Sequence, residues 1–297
     1  MLTSFLHRLN PKQQEAVQTT EGPILILAGA GSGKTRVLTY KVAYLIREKS
    51  IPPEHIVMLT FTNKAAQEMK ERIFQLVSDK NQHTLSSLPF AGTFHSLCAK
   101  ILRKEGKIMG IPPHFLIYDE QDSRDVLKGI INERGLDGKR FSPGGVSATI
   151  SQAKNELISS SEYPLFARGH YQEEVAKIYA LYQKALFENN ALDFDDLLFS
   201  TVSLFQLHKE IASKYQDAFH YVLVDEYQDT NRAQYELTKL LAKRWKNITI
   251  VGDASQSIYA WRGADYRNII HFKKDFLNAK VFHLEQNYRS TQTILDT

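Results

Sequence analysis

Cysteine is almost absent: Cys98 is the only one in 297 residues. No internal disulfide can form, which points to a reducing compartment. Long apolar runs are missing as well. None approaches the roughly 18 residues needed to span a bilayer, and Met1 to Arg8 lacks the charged-then-apolar layout of a signal peptide. A cytoplasmic protein is therefore expected, with no membrane partner. An excess of either charge is slight: 37 Lys/Arg against 33 Asp/Glu leave a net charge of +4, too mild to mark a nucleic-acid binder by itself. Repeats and low-complexity tracts are absent. A composition 43% hydrophobic and 24% charged is that of an ordinary globular protein. The length allows two domains, or one large domain with an insertion.

The most informative stretch runs from Ile24 to Thr35. Ile24 to Leu27 read as a strand buried on both faces. A turn, Ala28-Gly29-Ala30-Gly31-Ser32-Gly33, follows, and Lys34 and Thr35 open a segment with helical spacing (Val37/Leu38, Val42, Leu45/Ile46). Strand, Gly-rich loop, Lys-Thr and helix form the phosphate-binding loop arrangement. Gly29, Gly31 and Gly33 let successive N–H groups point at one anion. The helix adds the positive end of its dipole, Lys34 a mobile charge and Thr35 a hydroxyl suited to Mg²⁺. The usual pattern has Gly five residues before Gly33, where this chain has Ala28. Alone, the loop implies a nucleoside triphosphate and leaves open what its energy is used for.

Further strands are expected at 56–60, 90–93, 221–225, 248–252 and 281–284, with helices between them such as 64–77, and Asn10 is placed to cap a helix beginning at Pro11. Alternating strands and helices imply an α/β fold with a parallel sheet covered on both faces. From about 96 to 215 only helices and loops are expected, among them an amphipathic helix carrying Val175, Ile178/Tyr179, Tyr182 and Ala185/Leu186. Phe141-Ser-Pro-Gly-Gly-Val and Ser159 to Pro164 read as loop punctuation, and Ser78–Leu88 as a further loop. The expectation is an α/β core holding an all-helical insertion.

A phosphate loop needs a carboxylate to hold its metal. Val222-Leu-Val ends in Asp225-Glu226, the position where ligands gather at the carboxyl edge of a parallel sheet. Asp225 can hold Mg²⁺, and Glu226 can orient and deprotonate an attacking water. A second strand, Ile248–Gly252, leads to Gln256, whose amide could sense a γ-phosphate. Aromatic and polar residues at strand ends (Phe61, Thr62 and Asn63; Thr93 and His95; Phe194; Tyr259, Trp261 and Arg262) suit a sequence-tolerant single-strand groove. Residues 60–110 carry eight Lys/Arg against four Asp/Glu, a bias suited to a phosphate backbone. Arg289, within Gln286-Asn-Tyr-Arg-Ser290, could act as an arginine finger.

Taken in order, Leu9-Asn-Pro-Lys-Gln13, Ala28–Thr35, Leu59–Ala66, Gly92–Ser96, Leu192–Leu197, Val224–Asn231, Val251–Asp265 and Gln286–Ser290 resemble the superfamily 1 DNA helicases of the UvrD/PcrA/Rep type, whose loop often begins with Ala. The resemblance implies a RecA-like P-loop NTPase domain formed by 1–111 and 195–285, a helical insertion at 112–194, and the start of a second RecA-like domain at 286–297. It implies ATP and Mg²⁺ as cofactors. Gln13 would read the adenine edge and Tyr288 stack on the ring, with Arg36 near the nucleotide. Gln256 would couple the γ-phosphate to DNA, and Arg289 would contact that phosphate. Phe61, Thr62, Asn63, Thr93, His95, Phe194, Tyr259, Trp261 and Arg262 would line the path of single-stranded DNA, with Trp261 the foremost stacking residue. The implied activity is 3′–5′ translocation and unwinding at single-strand/duplex junctions in repair or replication, alongside repair or replication proteins, by an N-terminal fragment poorly active alone. The motor of a helicase–nuclease and a single-strand-binding module without turnover are the alternatives.

Overall fold

The computed structural model describes residues 5–78, 88–253 and 267–288. The chain divides into two compact units, one of Met1–Phe94, Ala212–Thr230 and Thr238–Thr297, the other of His95–Ile211 and Asn231–Leu237.

The first unit is built on a six-stranded sheet. Numbered in chain order, its strands are β1 (Ile24–Ala28), β2 (Ile56–Thr60), β3 (Phe90–Thr93), β6 (Tyr221–Val224), β7 (Asn247–Gly252) and β8 (Lys280–Leu284). They lie in the order β3-β2-β6-β7-β1-β8, and every pairing is parallel. All six expected strands are present. The inner strands β2, β6 and β7 are buried throughout, as their mainly apolar sequences favour, with Thr60, Asn247 and Thr249 buried among them, whereas the edge strand β8 is half open. Asn10 and Gln13 form a reciprocal cap on α1 (Pro11–Gln18). Helix α2 (Lys34–Arg47) sets Val37, Leu38 and Val42 into a core with Ile24, Ile26, Met58 and Val251, and α3 (Asn63–Val77) adds Met69 and Ile73. Helix α11 (Arg267–Asp275) brings Phe272 edge-on to Tyr227 at 6.0 Å. Because the strands are parallel, their carboxyl ends share one edge of the sheet.

The second unit contains α5 (Glu120–Glu133), α6 (Pro143–Asn155), α7 (His170–Glu188), α8 (Phe194–Leu207) and most of α4 (Phe94–Glu105). Its core joins Leu127, Ile131, Val146, Ile150 and the expected α7 face of Val175, Ile178, Tyr179, Tyr182 and Leu186. Two features depart from the sequence reading. Leu116–Tyr118 (β4) and Ala191–Asp193 (β5) pair as a small parallel sheet within the stretch read as helix and loop. Three-residue strands carry no periodicity; only the pairing defines them. Phe141–Val146, read as a loop, instead starts a helix: Ser142 caps α6 and Pro143 occupies its first position. Helices α9 (Lys209–Ala218) and α10 (Arg232–Ala242) and five short 3-10 helices are the remaining elements among the described residues. Among the described residues no helix is long and apolar enough to cross a membrane.

Candidate nucleotide site

The loop from Gly29 to Gly33 connects β1 to α2 at the carboxyl edge of the sheet. Gly31 (φ 73°) and Gly33 (φ 87°) adopt left-handed backbone that favours glycine. Ser32 folds the loop back, its amide and hydroxyl donating to the Gly29 carbonyl at 3.3 and 2.7 Å. Ala28 is buried at the end of β1, and Gly29 and Ala30 face solvent. Buried Gln13 donates through Nε2 to the Ser32 carbonyl at 3.0 Å, joining α1 to the loop. The Tyr288 amide donates to the Gly31 carbonyl at 2.9 Å, and its hydroxyl accepts from Asn10 Nδ2 at 2.7 Å. Arg36 donates from Nη2 to the Arg8 carbonyl, and its guanidinium lies 5.5 Å from the Tyr40 ring centre.

Helix α2 begins with the two residues that face the acids. Strand β6 lies two places from β1, separated by β7. Its end brings Asp225 within reach of Thr35, whose hydroxyl donates to Asp225 Oδ2 at 3.0 Å. Lys34 Nζ pairs with Glu226 Oε2 at 2.9 Å. Burial, and then the Glu226 charge, push the Asp225 carboxyl up to about 6. A cation beside it would favour the ionised form. Glu226 holds a left-handed backbone conformation (φ 50°, ψ 44°) uncommon outside glycine.

Two residues of this edge were given no role from sequence. Gln228, 1% exposed, donates from Nε2 to Glu226 Oε2 at 2.9 Å and accepts the Asp253 N–H at 2.9 Å on Oε1. Asp229 has one carboxylate oxygen, Oδ1, buried without a hydrogen-bond partner, and burial followed by the Glu226 charge raises its carboxyl to about 6. Their signal in the sequence was proximity: both lie within three residues of Glu226.

The candidate DNA residues fall in both units. In the first, Phe61 follows β2 and meets Phe94 edge-on at 5.9 Å; Thr62 caps α3; Asn63 opens it, exposed; and Thr93 is buried at the end of β3. In the second, Phe194 is 50% exposed at the start of α8, with His95 edge-on to it at 5.7 Å. Burial lowers the His95 pKa, favouring the neutral ring. Gln256, Tyr259, Trp261, Arg262 and Arg289 lie outside the described residues.

Residues 9–277 match the sequence profile of the UvrD/REP helicase N-terminal domain. The chain belongs to this family. It is 53% identical over 291 residues to the ATP-dependent DNA helicase PcrA of Bacillus subtilis (strain 168), covering 98% of the chain and 39% of that relative. It is 48% identical over 295 residues to the PcrA of Staphylococcus aureus (strain Mu50), covering 99% and 40%. The similarity is to the N-terminal part of these PcrA proteins, and the six-stranded parallel sheet is consistent with a RecA-like domain of a UvrD-type helicase.

Proposed function

We propose that the chain is the N-terminal, ATP-binding portion of an ATP-dependent DNA helicase that moves 3′ to 5′ along single-stranded DNA and opens junctions in repair or replication. The observation that carries this reading is the meeting of the 29–35 loop with the β6 acids, Lys34 against Glu226 and Thr35 against Asp225. The names of the PcrA relatives support ATP and DNA as ligands. In this reading 1–111 and 195–285 form the ATP-binding domain, 112–194 its insertion, and 286–297 the start of a second RecA-like domain that acts as its partner.

The phosphates lie over the loop amides, with Lys34 exchanging Glu226 for a phosphate oxygen. Gln13 and Tyr288 bracket the base and Arg36 lies near the nucleotide. Thr35 and Asp225 would hold Mg²⁺: two hard oxygen donors 3.0 Å apart, one of them a buried carboxylate, fit that ion. The ion would neutralise phosphate charge. Glu226, released from Lys34, accepts the proton of the attacking water at a carboxylate oxygen. Gln256 and Arg289 complete the γ-phosphate contacts, and Phe61, Thr62, Asn63, Thr93, His95, Phe194, Tyr259, Trp261 and Arg262 bind the strand, mainly by stacking. The protein works in the cytoplasm.

ATP hydrolysis by the full-length polypeptide with and without single-stranded DNA, alongside Glu226→Gln, tests the proposal. DNA-stimulated hydrolysis that falls by about 10²–10⁴-fold in the variant is expected. Hydrolysis equal in the two proteins would overturn it.

A further inference from the structure

The Lys34–Glu226 pair poses a problem for the reaction. Once Lys34 turns to a phosphate, Glu226 loses its cationic partner. Its backbone also sits in a left-handed conformation that is unfavourable for a residue other than glycine and persists only where the surroundings enforce it. The carboxylate needs another hold. Gln228 supplies a contact of the required polarity.

A carboxylate only accepts hydrogen bonds and a backbone N–H only donates. Bridging the two requires a side chain with a donor at one end and an acceptor at the other. The Gln228 amide does this, with Nε2 on Glu226 and Oε1 on the Asp253 N–H, just past the end of β7. Its second amide hydrogen reaches Asp229 Oδ2 at 3.3 Å. Turning the amide over would set its oxygen against two carboxylates and its nitrogen against an N–H, so the partners define its orientation. Gly252 lies against the bridge: a Cβ there would come to 3.0 Å from Gln228 Oε1, 3.1 Å from Ile269 Cδ1 and 3.5 Å from the Gln228 backbone nitrogen.

We propose that Gln228 is the positioning residue for Glu226, fastening its carboxylate to the carboxyl end of β7 so that it stays aimed at the attacking water after Lys34 has left. This rests on the reading of Glu226 as the general base. Gln228 touches no reacting atom; it acts through Glu226. Leucine, similar in volume, removes both ends of the bridge.

Steady-state hydrolysis is measured in the full-length polypeptide with single-stranded DNA, for wild type, Gln228→Leu, Glu226→Gln and the double variant. Gln228→Leu is expected to lower kcat by about 10- to 100-fold, consistent with misplacing a reacting group, while KM for ATP stays within about twofold. On the Glu226→Gln background the same change should alter the residual rate less than about twofold, because a residue acting through Glu226 has nothing left to position. Unchanged kcat in Gln228→Leu overturns the proposal, as does an equal loss on both backgrounds, which would mark a purely structural role. Full activity in Glu226→Gln would instead overturn the base assignment. Should Gln228→Leu fail to fold, Gln228→Glu keeps the side chain's size but replaces the Nε2 donor with a carboxylate oxygen; a kcat loss confined to the Glu226 background supports the bridge, and wild-type kcat refutes it.

Discussion

Gly33 holds a φ of 87°, and a Cβ there would lie 3.0 Å from the Gln13 amide nitrogen. Gly33→Ala therefore meets two penalties, backbone strain of about 1–2 kcal/mol and a clash with the side chain joining α1 to the loop. Titration with a fluorescent ATP analogue should show affinity reduced about tenfold or more; unchanged affinity would show that the loop does not need this conformation. Cys98 is a second residue whose behaviour follows from its surroundings. It is fully buried, and burial pushes its thiol up to about 12. With roughly 10³-fold less thiolate than an ordinary cysteine, it should resist iodoacetamide at pH 8.5 in the native protein and react readily in urea. Mass spectrometry of the alkylated fraction decides. That Cys98 is single was evident from sequence, but its inertness was not, since burial depends on what α4 packs against.

At the scale of elements, the capping and apolar patterns of β1, α1, α2 and α7 were legible because they arise from neighbours in the chain. The polar interior of the second unit was not. Fully buried Lys154 on α6 pairs with Asp193 at 2.7 Å and Asp196 at 2.8 Å at the start of α8, and Tyr182 of α7 donates to Asp193 at 3.0 Å. Despite the burial of both groups, Lys154 holds the Asp193 carboxyl low, while burial and the Asp193 charge raise Asp196 to about 7. Lys154→Met would strand buried carboxylates beneath the helix that presents Phe194. A loss of about 3–5 kcal/mol is expected. Calorimetry should show a lower Tm, and adding Asp193→Asn with Asp196→Asn should recover part of it. A Tm equal to wild type would show that the network contributes little.

For the whole molecule, a net charge of +4 spread over 297 residues gives no strong global attraction for nucleic acid, so the proposed strand binding depends on local contacts. If about five phosphates are neutralised, log Kd for an oligothymidylate should rise with log salt at a slope near 3.5; fluorescence anisotropy from about 50 to 300 mM salt would show it. A flat response would mean that stacking alone accounts for binding. Family membership and the α/β class could be read from the chain because ordered motifs and runs of branched apolar residues are local properties. So could the loop, whose glycines are needed by its own backbone. The strand order could not, because it depends on which long-range pairings bury the most apolar surface. That order places β6 two strands from β1, and so sets Asp225 against Thr35 and Glu226 against Lys34 across about 190 residues of chain. The left-handed turn at Glu226, the Gln228 bridge and the β4–β5 pair likewise exist only in the folded protein. Each needs partners distant in sequence to offset the cost of ordering it, and no local preference specifies those partners.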